Sequence, residues 1–269
     1  MRPDQIELLH TPSAPTVHPD GTWAVVAVSR PSLAADAYVG QLWRIDLAGD
    51  AAPRRLTRGV RDARPRFSPD GRLLAFTRGD ADGRPQVFVT RTDGGEPGQV
   101  SDAKLGVEQF CWSPDASRIA FTARVAEDGR YGTLDGVSAS QEDPRHLTSN
   151  QIQANGLGWS SDRRRRLFVV DVPDADAEPP IKPVGRAAKA AGRDASFSPA
   201  PAATELTGGE FDAADPVFAP DGSAVLITSA RAEGHDDTLR TELYRISVEG
   251  GEASVALADD RLTFGHATP

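Results

Sequence analysis

The sequence predicts an all-β fold of repeated four-stranded blades, and three observations predict it. A turn motif followed by an apolar strand recurs along the chain. A second, alternating strand with a Gly-rich tip recurs behind it. A short strand ending in Thr or Ser closes most of the units. No apolar period of 3.6 residues is sustained, which sets aside a helical solenoid.

The turn motif reads Thr16-Val17-His18-Pro19-Asp20-Gly21, Arg66-Phe67-Ser68-Pro69-Asp70-Gly71 and Cys111-Trp112-Ser113-Pro114-Asp115-Ala116. It returns as Gly158-Trp159-Ser160-Ser161-Asp162-Arg163 and Val217-Phe218-Ala219-Pro220-Asp221-Gly222. Its Asp falls at 20, 70, 115, 162 and 221, at separations of 50, 45, 47 and 59 residues. Pro fixes its φ, Asp bonds nearby backbone and Gly accepts φ > 0, so the motif makes a hairpin turn. The strands that follow are Trp23–Val28, Leu73–Thr77, Ile119–Thr122, Leu167–Val170 and Val225–Thr228.

The second strand alternates as a half-buried strand does: Gln41–Asp46, Gln86–Thr90 and Glu242–Ile246. Tips follow at Asp93-Gly94-Gly95-Glu96 and Glu249-Gly250-Gly251-Glu252. Leu56-Thr57, Val100-Ser101, Leu147-Thr148 and Leu206-Thr207 are the closing strands. Four strands per unit of roughly 45 residues is the blade of a β-propeller. About five blades are expected in one domain over 1–269, starting near residues 14, 63, 108, 155 and 214. The third has a weak third strand around Tyr131–Ser138. The fourth has a turn without Pro or Gly, runs directly into Leu167–Asp171, and then meets an insertion at 173–203. That insertion is rich in Pro, Ala and charge, too poor in apolar residues to order itself, and is expected to be a flexible loop.

Composition narrows the function classes. The 269 residues are 39% hydrophobic and 26% charged, ordinary for a soluble globular protein. A net charge of −9 argues against a general nucleic-acid partner, which wants a basic face. One cysteine, Cys111, rules out an intrachain disulfide. Residues 1–10 have no apolar signal core, and no apolar run approaches the ~20 residues that span a bilayer, so no membrane partner and a cytoplasmic location are expected.

The Ser-Pro-Asp-Gly hairpins and Asp-Gly-Gly-Glu tips resemble the amino-terminal propeller of the prolyl oligopeptidase family of serine peptidases. The bacterial acylaminoacyl-peptidase and dipeptidyl-peptidase-like branch is the most similar. Three stretches carry the resemblance more specifically. They are Phe121-Thr122-Ala123-Arg124 through Gly129-Arg130-Tyr131-Gly132, Gly156 through Arg163 running into Leu167–Asp171, and Gly209-Glu210-Phe211-Asp212. The resemblance implies a seven-bladed propeller followed by an α/β-hydrolase domain. Its partners would then be that catalytic domain and peptide substrates, and this chain a fragment or isolated domain. Hairpins of this kind also occur in TolB-type propellers, which bind proteins and catalyse nothing.

Few side chains are candidates for catalysis or binding. The hydrolase nucleophile sits in a Gly-x-Ser-x-Gly elbow, and the sequence has none; Gly136-Val137-Ser138-Ala139-Ser140 fails at its last position. The histidines are His10, His18, His146, His235 and His266. His18 stands where other turns have Ser, and His146 adjoins a closing strand. No His-Glu-x-x-His, paired Cys or full Ca²⁺ loop is present. Asp80-Ala81-Asp82-Gly83 reads as a turn, and Cys111 as a buried, inert thiol. The run Arg163–Arg166 should alternate sides of a strand, solvated or clamping an anion. Glu127, Asp128, Asp236 and Asp237 are loop carboxylates with no assignable role. No catalytic, cofactor-binding or metal residue is assigned, and no cofactor is expected.

Overall fold

The computed structural model describes residues 2–49, 51–134, 136–138, 140–147, 149–178, 180–191, 197–238 and 240–268. A short 3-10 helix, Pro3–Leu8, leads into the first sheet: β1 (Thr11–Pro12), β2 (Thr16–Val17), β3 (Trp23–Ser32), β4 (Ala37–Asp46) and β5 (Arg54–Arg55). The second sheet is β6 (Ala63–Phe67), β7 (Leu73–Gly79), β8 (Pro85–Arg91) and β9 (Gly98–Gln99). Then come β10 (Val107–Trp112), β11 (Arg118–Ala126), β12 (Gln153–Ala154), β13 (Gly158–Trp159) and β14 (Arg163–Asp171). Helix α1 (Gly185–Ala191) precedes β15 (Thr204–Glu205). The last sheet is β16 (Ala214–Phe218), β17 (Ala224–Ser229), β18 (Glu242–Ser247) and β19 (Ser254–Leu257).

Every full sheet is an antiparallel meander in chain order: β6-β7-β8-β9, β10-β11-β14-β15 and β16-β17-β18-β19. The first runs β1-β3-β4-β5, with β2 also on β3. The long hairpins carry most of the pairing. Trp23 to Ser32 pairs with Asp46 to Ala37, and Leu73 to Gly79 with Arg91 to Pro85. Ala224 to Ser229 pairs with Ser247 to Glu242. The chain forms two compact units. One is Met1–Asp102 with Val170–Ala202; the other is Ala103–Val169 with Ala203–Pro269. Each has its own core: Trp23, Val25, Leu42, Leu74 and Phe76 in the first, Leu167, Leu206, Phe218, Ile227 and Ile246 in the second.

The expected hairpin turns form at four of the five sites. The carboxylates of Asp20, Asp70, Asp115 and Asp221 each accept the backbone N–H two residues on, at 2.8, 3.1, 3.1 and 2.9 Å. Ser68 and Ser113 also donate to their Asp at 2.6 Å. Hydrogen bonds from Ser113 and Ser117 hold the Asp115 carboxyl down at about 2. His18 replaces that Ser with a different device. Its ring stacks on Trp23 and meets Phe67 edge-on, and Nε2 lies 2.9 Å from the Gly71 carbonyl oxygen. Gly71 is at φ +73°, and a Cβ there would lie 2.7 Å from His18 Nε2.

The fourth site, at Asp162, differs from expectation. The blade expected to begin near residue 155 does not begin there: β14 joins the third sheet, beside β11, as its third strand. Among the described residues there are one five-stranded and three four-stranded sheets, and Gly158–Trp159 forms only a two-stranded hairpin with Gln153–Ala154. The reason is local. Ser160-Ser161-Asp162-Arg163 lacks the Pro and Gly that turn the chain, and Asp162 is buried among side chains rather than closing its own turn. Accordingly the described residues of 131–138 are turns and irregular chain, and the third strand expected there is supplied by β14. Thr148, of the expected Leu147-Thr148 closing strand, lies outside the described residues. The stretch 173–203 leaves from β14 and returns to β15, so the closing strand of the third sheet lies on the far side of it.

The closing strands explain why Leu or Val followed by Thr or Ser recurs. β5, β9 and β15 are only two residues long. Just beyond each, one residue of the third strand is held twice. Leu56 N–H donates to the Leu42 carbonyl at 2.8 Å while Leu42 N–H donates to Thr57 Oγ1 at 3.0 Å. Val100 and Ser101 hold Val87 in the same way at 2.9 and 2.8 Å. Leu206 and Thr207 hold Leu167 at 2.8 and 2.8 Å. Leu42, Val87 and Leu167 are fully buried, so an amide left open there has no water to turn to. Replacing Thr207 with Val should therefore cost about 1–3 kcal/mol in urea unfolding. An unchanged midpoint would show that the hydroxyl is dispensable.

Candidate functional site

The chain leaves β11 through Glu127-Asp128-Gly129-Arg130-Tyr131-Gly132, a sequence of turn formers. Arg130 N–H donates to the Glu127 carbonyl at 3.1 Å, and Gly129 and Gly132 take φ of +81° and +75°. Tyr131, between them, sits at φ +52°, unfavourable for a bulky residue. Three contacts hold it there. Its N–H donates to Glu142 Oε1 at 2.9 Å, its hydroxyl donates to Asp162 Oδ1 at 2.9 Å, and the Arg163 guanidinium lies 4.7 Å from its ring centre. Burial pushes the phenol upward, and its bond to Asp162 adds to that.

Asp162 is the hub of this loop cluster, with 4% of its surface exposed. Arg145 Nε donates to its Oδ2 at 2.6 Å, and Arg130 Nε lies 3.9 Å away. Glu142, also buried at its carboxylate, sits 3.7 Å from Arg130 and 3.6 Å from Arg145. The hydrogen bond to Asp162 raises the Arg145 guanidinium above its ordinary value. Arg145 also lies over the Trp159 ring at 5.0 Å. Two carboxylates and two guanidinium groups thus neutralise one another and pin an otherwise irregular segment.

A polar cavity of about 310 Å³ opens beside this cluster. Several of the candidate residues line it together: Glu127, His146, Arg164, Arg166, His235 and Asp236. The arginine run alternates as expected. Arg163 donates to the Trp159 carbonyl at 2.7 Å, and Arg165 donates to Glu108 Oε2 at 3.0 Å. Arg164 and Arg166 face the cavity; Arg166 donates to Glu205 Oε1 at 2.7 Å, and Arg164 has no ion pair among the described residues.

Asp212, of the Gly209–Asp212 stretch, ties a second network. Its Oδ1 accepts Arg165 N–H at 2.7 Å, and its Oδ2 is 3.6 Å from Arg124, which donates to Glu108 Oε1 at 2.6 Å. The pairing of Glu108 with Arg124 repeats that of Asp62 with Arg78, 2.7 Å apart and also sixteen positions apart in sequence. The three stretches that carried the family resemblance therefore converge on charged networks of one unit.

The cavity holds a serine, a carboxylate and a histidine in the wrong order for nucleophilic catalysis. Ser149 Oγ donates to Asp236 Oδ1 at 2.8 Å, and His235 Nε2 approaches that same oxygen at 3.6 Å. The acid thus stands between alcohol and imidazole, whereas an activated serine hands its proton to the imidazole. The remaining candidates lie elsewhere. His10 Nδ1 is 3.0 Å from its neighbour Leu8's carbonyl, and the exposed His266 is 3.5 Å from Asp215. Asp237 accepts from Asn150 at 2.9 Å; Asp128 does not line the cavity. Asp80 closes its own turn, accepting N–H from Asp82 and Arg84 at 2.9 and 2.8 Å. Cys111 is half-buried against the second core. Among the described residues no three His, Cys, Asp or Glu side chains group as a metal site, and no helix is long and apolar enough to cross a membrane.

Comparison with known proteins bears out the family resemblance. No family model matches the chain. The chain is 26% identical over 243 residues to the uncharacterized peptidase YuxL of Bacillus subtilis (strain 168), covering 90% of this chain and 33% of that protein. It is 40% identical over 60 residues to the Tol-Pal system protein TolB of Bordetella pertussis, 22% of this chain and 13% of that one. Among solved structures, the Pyrococcus horikoshii acylaminoacyl peptidase superposes with a TM-score of 0.60 at 14% identity, over 94% of this chain and 33% of that chain. A putative TolB from Agrobacterium tumefaciens gives 0.54 at 18% identity, over 93% and 62%. The fold is a β-propeller of four-stranded sheets resembling both peptidase propellers and TolB. The chain spans about a third of the length of the peptidase it matches.

Asp162→Ala leaves Arg145, Arg130 and the Tyr131 hydroxyl without their shared acceptor. It should lower stability by about 3 kcal/mol and speed hydrogen exchange across 127–147. Wild-type exchange in that segment would show that the cluster does not hold it.

Proposed function

We propose that this chain is the non-catalytic, substrate-gating propeller of a prolyl-oligopeptidase-type serine peptidase. The observation that carries the proposal is the kinship with a peptidase along 90% of this chain but only 33% of that protein. A protein of that kind has room for a catalytic domain that these residues do not supply. In this reading an α/β-hydrolase domain is the intramolecular partner, and the propeller admits short peptides and excludes folded proteins by geometry. The polar cavity beside Asp162, with Arg164 and Glu127 on its wall, is then a place where a peptide's backbone and termini find partners. A cytoplasmic site of action fits the lone cysteine.

The alternative is a protein-binding scaffold of the TolB type, favoured by the 40% identity to TolB confined to 60 residues. The two readings separate on the coding sequence beyond Pro269 and on chemistry. The peptidase reading expects a Gly-x-Ser-x-Gly elbow in a continuing frame. It also expects residues 1–269 alone to show no turnover of acyl-aminoacyl or aminoacyl nitroanilides and no labelling by a serine-reactive phosphonate. Specific turnover with a labelled serine in this chain would overturn the non-catalytic role. A stop codon followed by an unrelated gene would favour the scaffold.

A further inference from the structure

A second cavity, of about 580 Å³, lies in the first unit, between the outer edge of the first sheet and the Gly-rich tip of the second. Its wall is cationic in a protein whose net charge is −9. Five guanidinium groups line it, those of Arg54, Arg55, Arg58, Arg78 and Arg91. Only two carboxylates, Asp93 and Glu96, stand among them.

Two of the arginines are committed. Arg78 is held by the buried Asp62, with Nε to Oδ1 at 2.7 Å and a second nitrogen to Oδ2 at 3.0 Å. Arg91 donates to Asp93 at 2.9 and 2.7 Å. Arg54, Arg55 and Arg58 are exposed, and none has a carboxylate within ion-pair distance among the described residues. Arg55 rests over the Trp43 ring at 5.0 Å, which keeps its charge presented and its stem packed. Arg54 and Arg55 form β5, the outermost strand of their sheet, so the side away from β4 is an open edge.

The chain itself shows what this wall attracts. The acidic turn Asp174-Ala175-Asp176-Ala177-Glu178 belongs to the same unit. It is shaped by Asp176 N–H donating to Asp174 Oδ1 at 3.0 Å. It presents Asp176 to Arg91, whose nitrogen donates to both carboxylate oxygens at 2.8 and 3.1 Å. That pair is exposed, with Asp176 72% open, so it contributes little and exchanges readily.

We propose that this arginine-lined groove is a docking site for an acidic peptide segment, and that the Asp174–Glu178 turn is its built-in competitor. A partner segment with several carboxylates would engage Arg54, Arg55 and Arg58 and displace Asp176 from Arg91. Screening by salt should weaken it steeply, because the contacts are exposed.

The test is fluorescence anisotropy of a fluorescein-labelled hexaglutamate peptide titrated with the full chain at low ionic strength. The expected result is saturable binding that falls as salt rises. R54Q/R55Q/R58Q should weaken it about tenfold, and D174N/D176N/E178Q should strengthen it about two- to fivefold, on the worth of exposed ion pairs. Melting curves matching wild type would confirm that both variants fold. Absent binding, or binding indifferent to the three arginines, would overturn the site. Unchanged or weaker binding by the acid-neutralised variant would overturn the competitor. Equal affinity for a single-stranded oligonucleotide of the same charge would overturn the acidic-peptide assignment in favour of general polyanion attraction.

Discussion

One buried backbone amide in the third strand of a sheet decides whether that sheet has an outer edge. In three of the four larger sheets the closing strand is two residues long, too short for ladder hydrogen bonds alone to hold it. It is fixed because Leu42, Val87 and Leu167 each give their N–H to a hydroxyl and their carbonyl to the preceding N–H of the same dipeptide. The apolar member of that dipeptide then enters or adjoins the core, as Leu56, Val100 and Leu206 do. The last sheet departs from this device. Its β19 is four residues long and pairs along β18 through Leu257, Val255 and Ser254. Length there replaces the hydroxyl.

The same economy governs the hairpin ends. An Asp that satisfies its own turn needs no neighbour, so Asp20, Asp70, Asp115 and Asp221 can sit near solvent with carboxyls held low by adjacent N–H and hydroxyl donors. An Asp that turns inward needs cations. Asp62 and Asp162 are both buried, and each is met by arginine at 2.6–2.7 Å. The charges of Asp62 and Asp162 are therefore matched inside their units, whereas Arg54, Arg55, Arg58 and Arg164, with no ion pair among the described residues, line open cavities.

This division explains how far the sequence could be read. The hairpins, the alternating strands and the Leu-Thr or Val-Ser closures are written in neighbouring residues, so their letters report their structure. Asp162 has the same local letters, aromatic then Ser then Asp, but its partners Tyr131 and Arg145 lie far back in the chain. Nothing in Ser160–Arg163 announces them, except that Pro and Gly are missing. The strand after it consequently reads as the start of a blade when it is the third strand of one. Arg163–Arg166 was legible as an alternating pair of faces, whereas the cavity shared by Glu127, His146 and Asp236 depends on loops meeting across the fold. Asp176 was legible only as part of a polar insertion; its bond to Arg91 is a tertiary fact.

The third sheet closes with a strand that follows residues 173–203 in sequence, so its clamp is the most demanding of the three. If Leu206 and Thr207 clamp Leu167 as their counterparts clamp Leu42 and Val87, all three amides open only with the cores they belong to. Native-state hydrogen exchange read residue by residue measures this directly. The Leu167 N–H should be protected to the same degree as those of Leu42 and Val87, close to the global limit. Exchange of Leu167 at the rate of an exposed loop, with Leu42 and Val87 still protected, would contradict it.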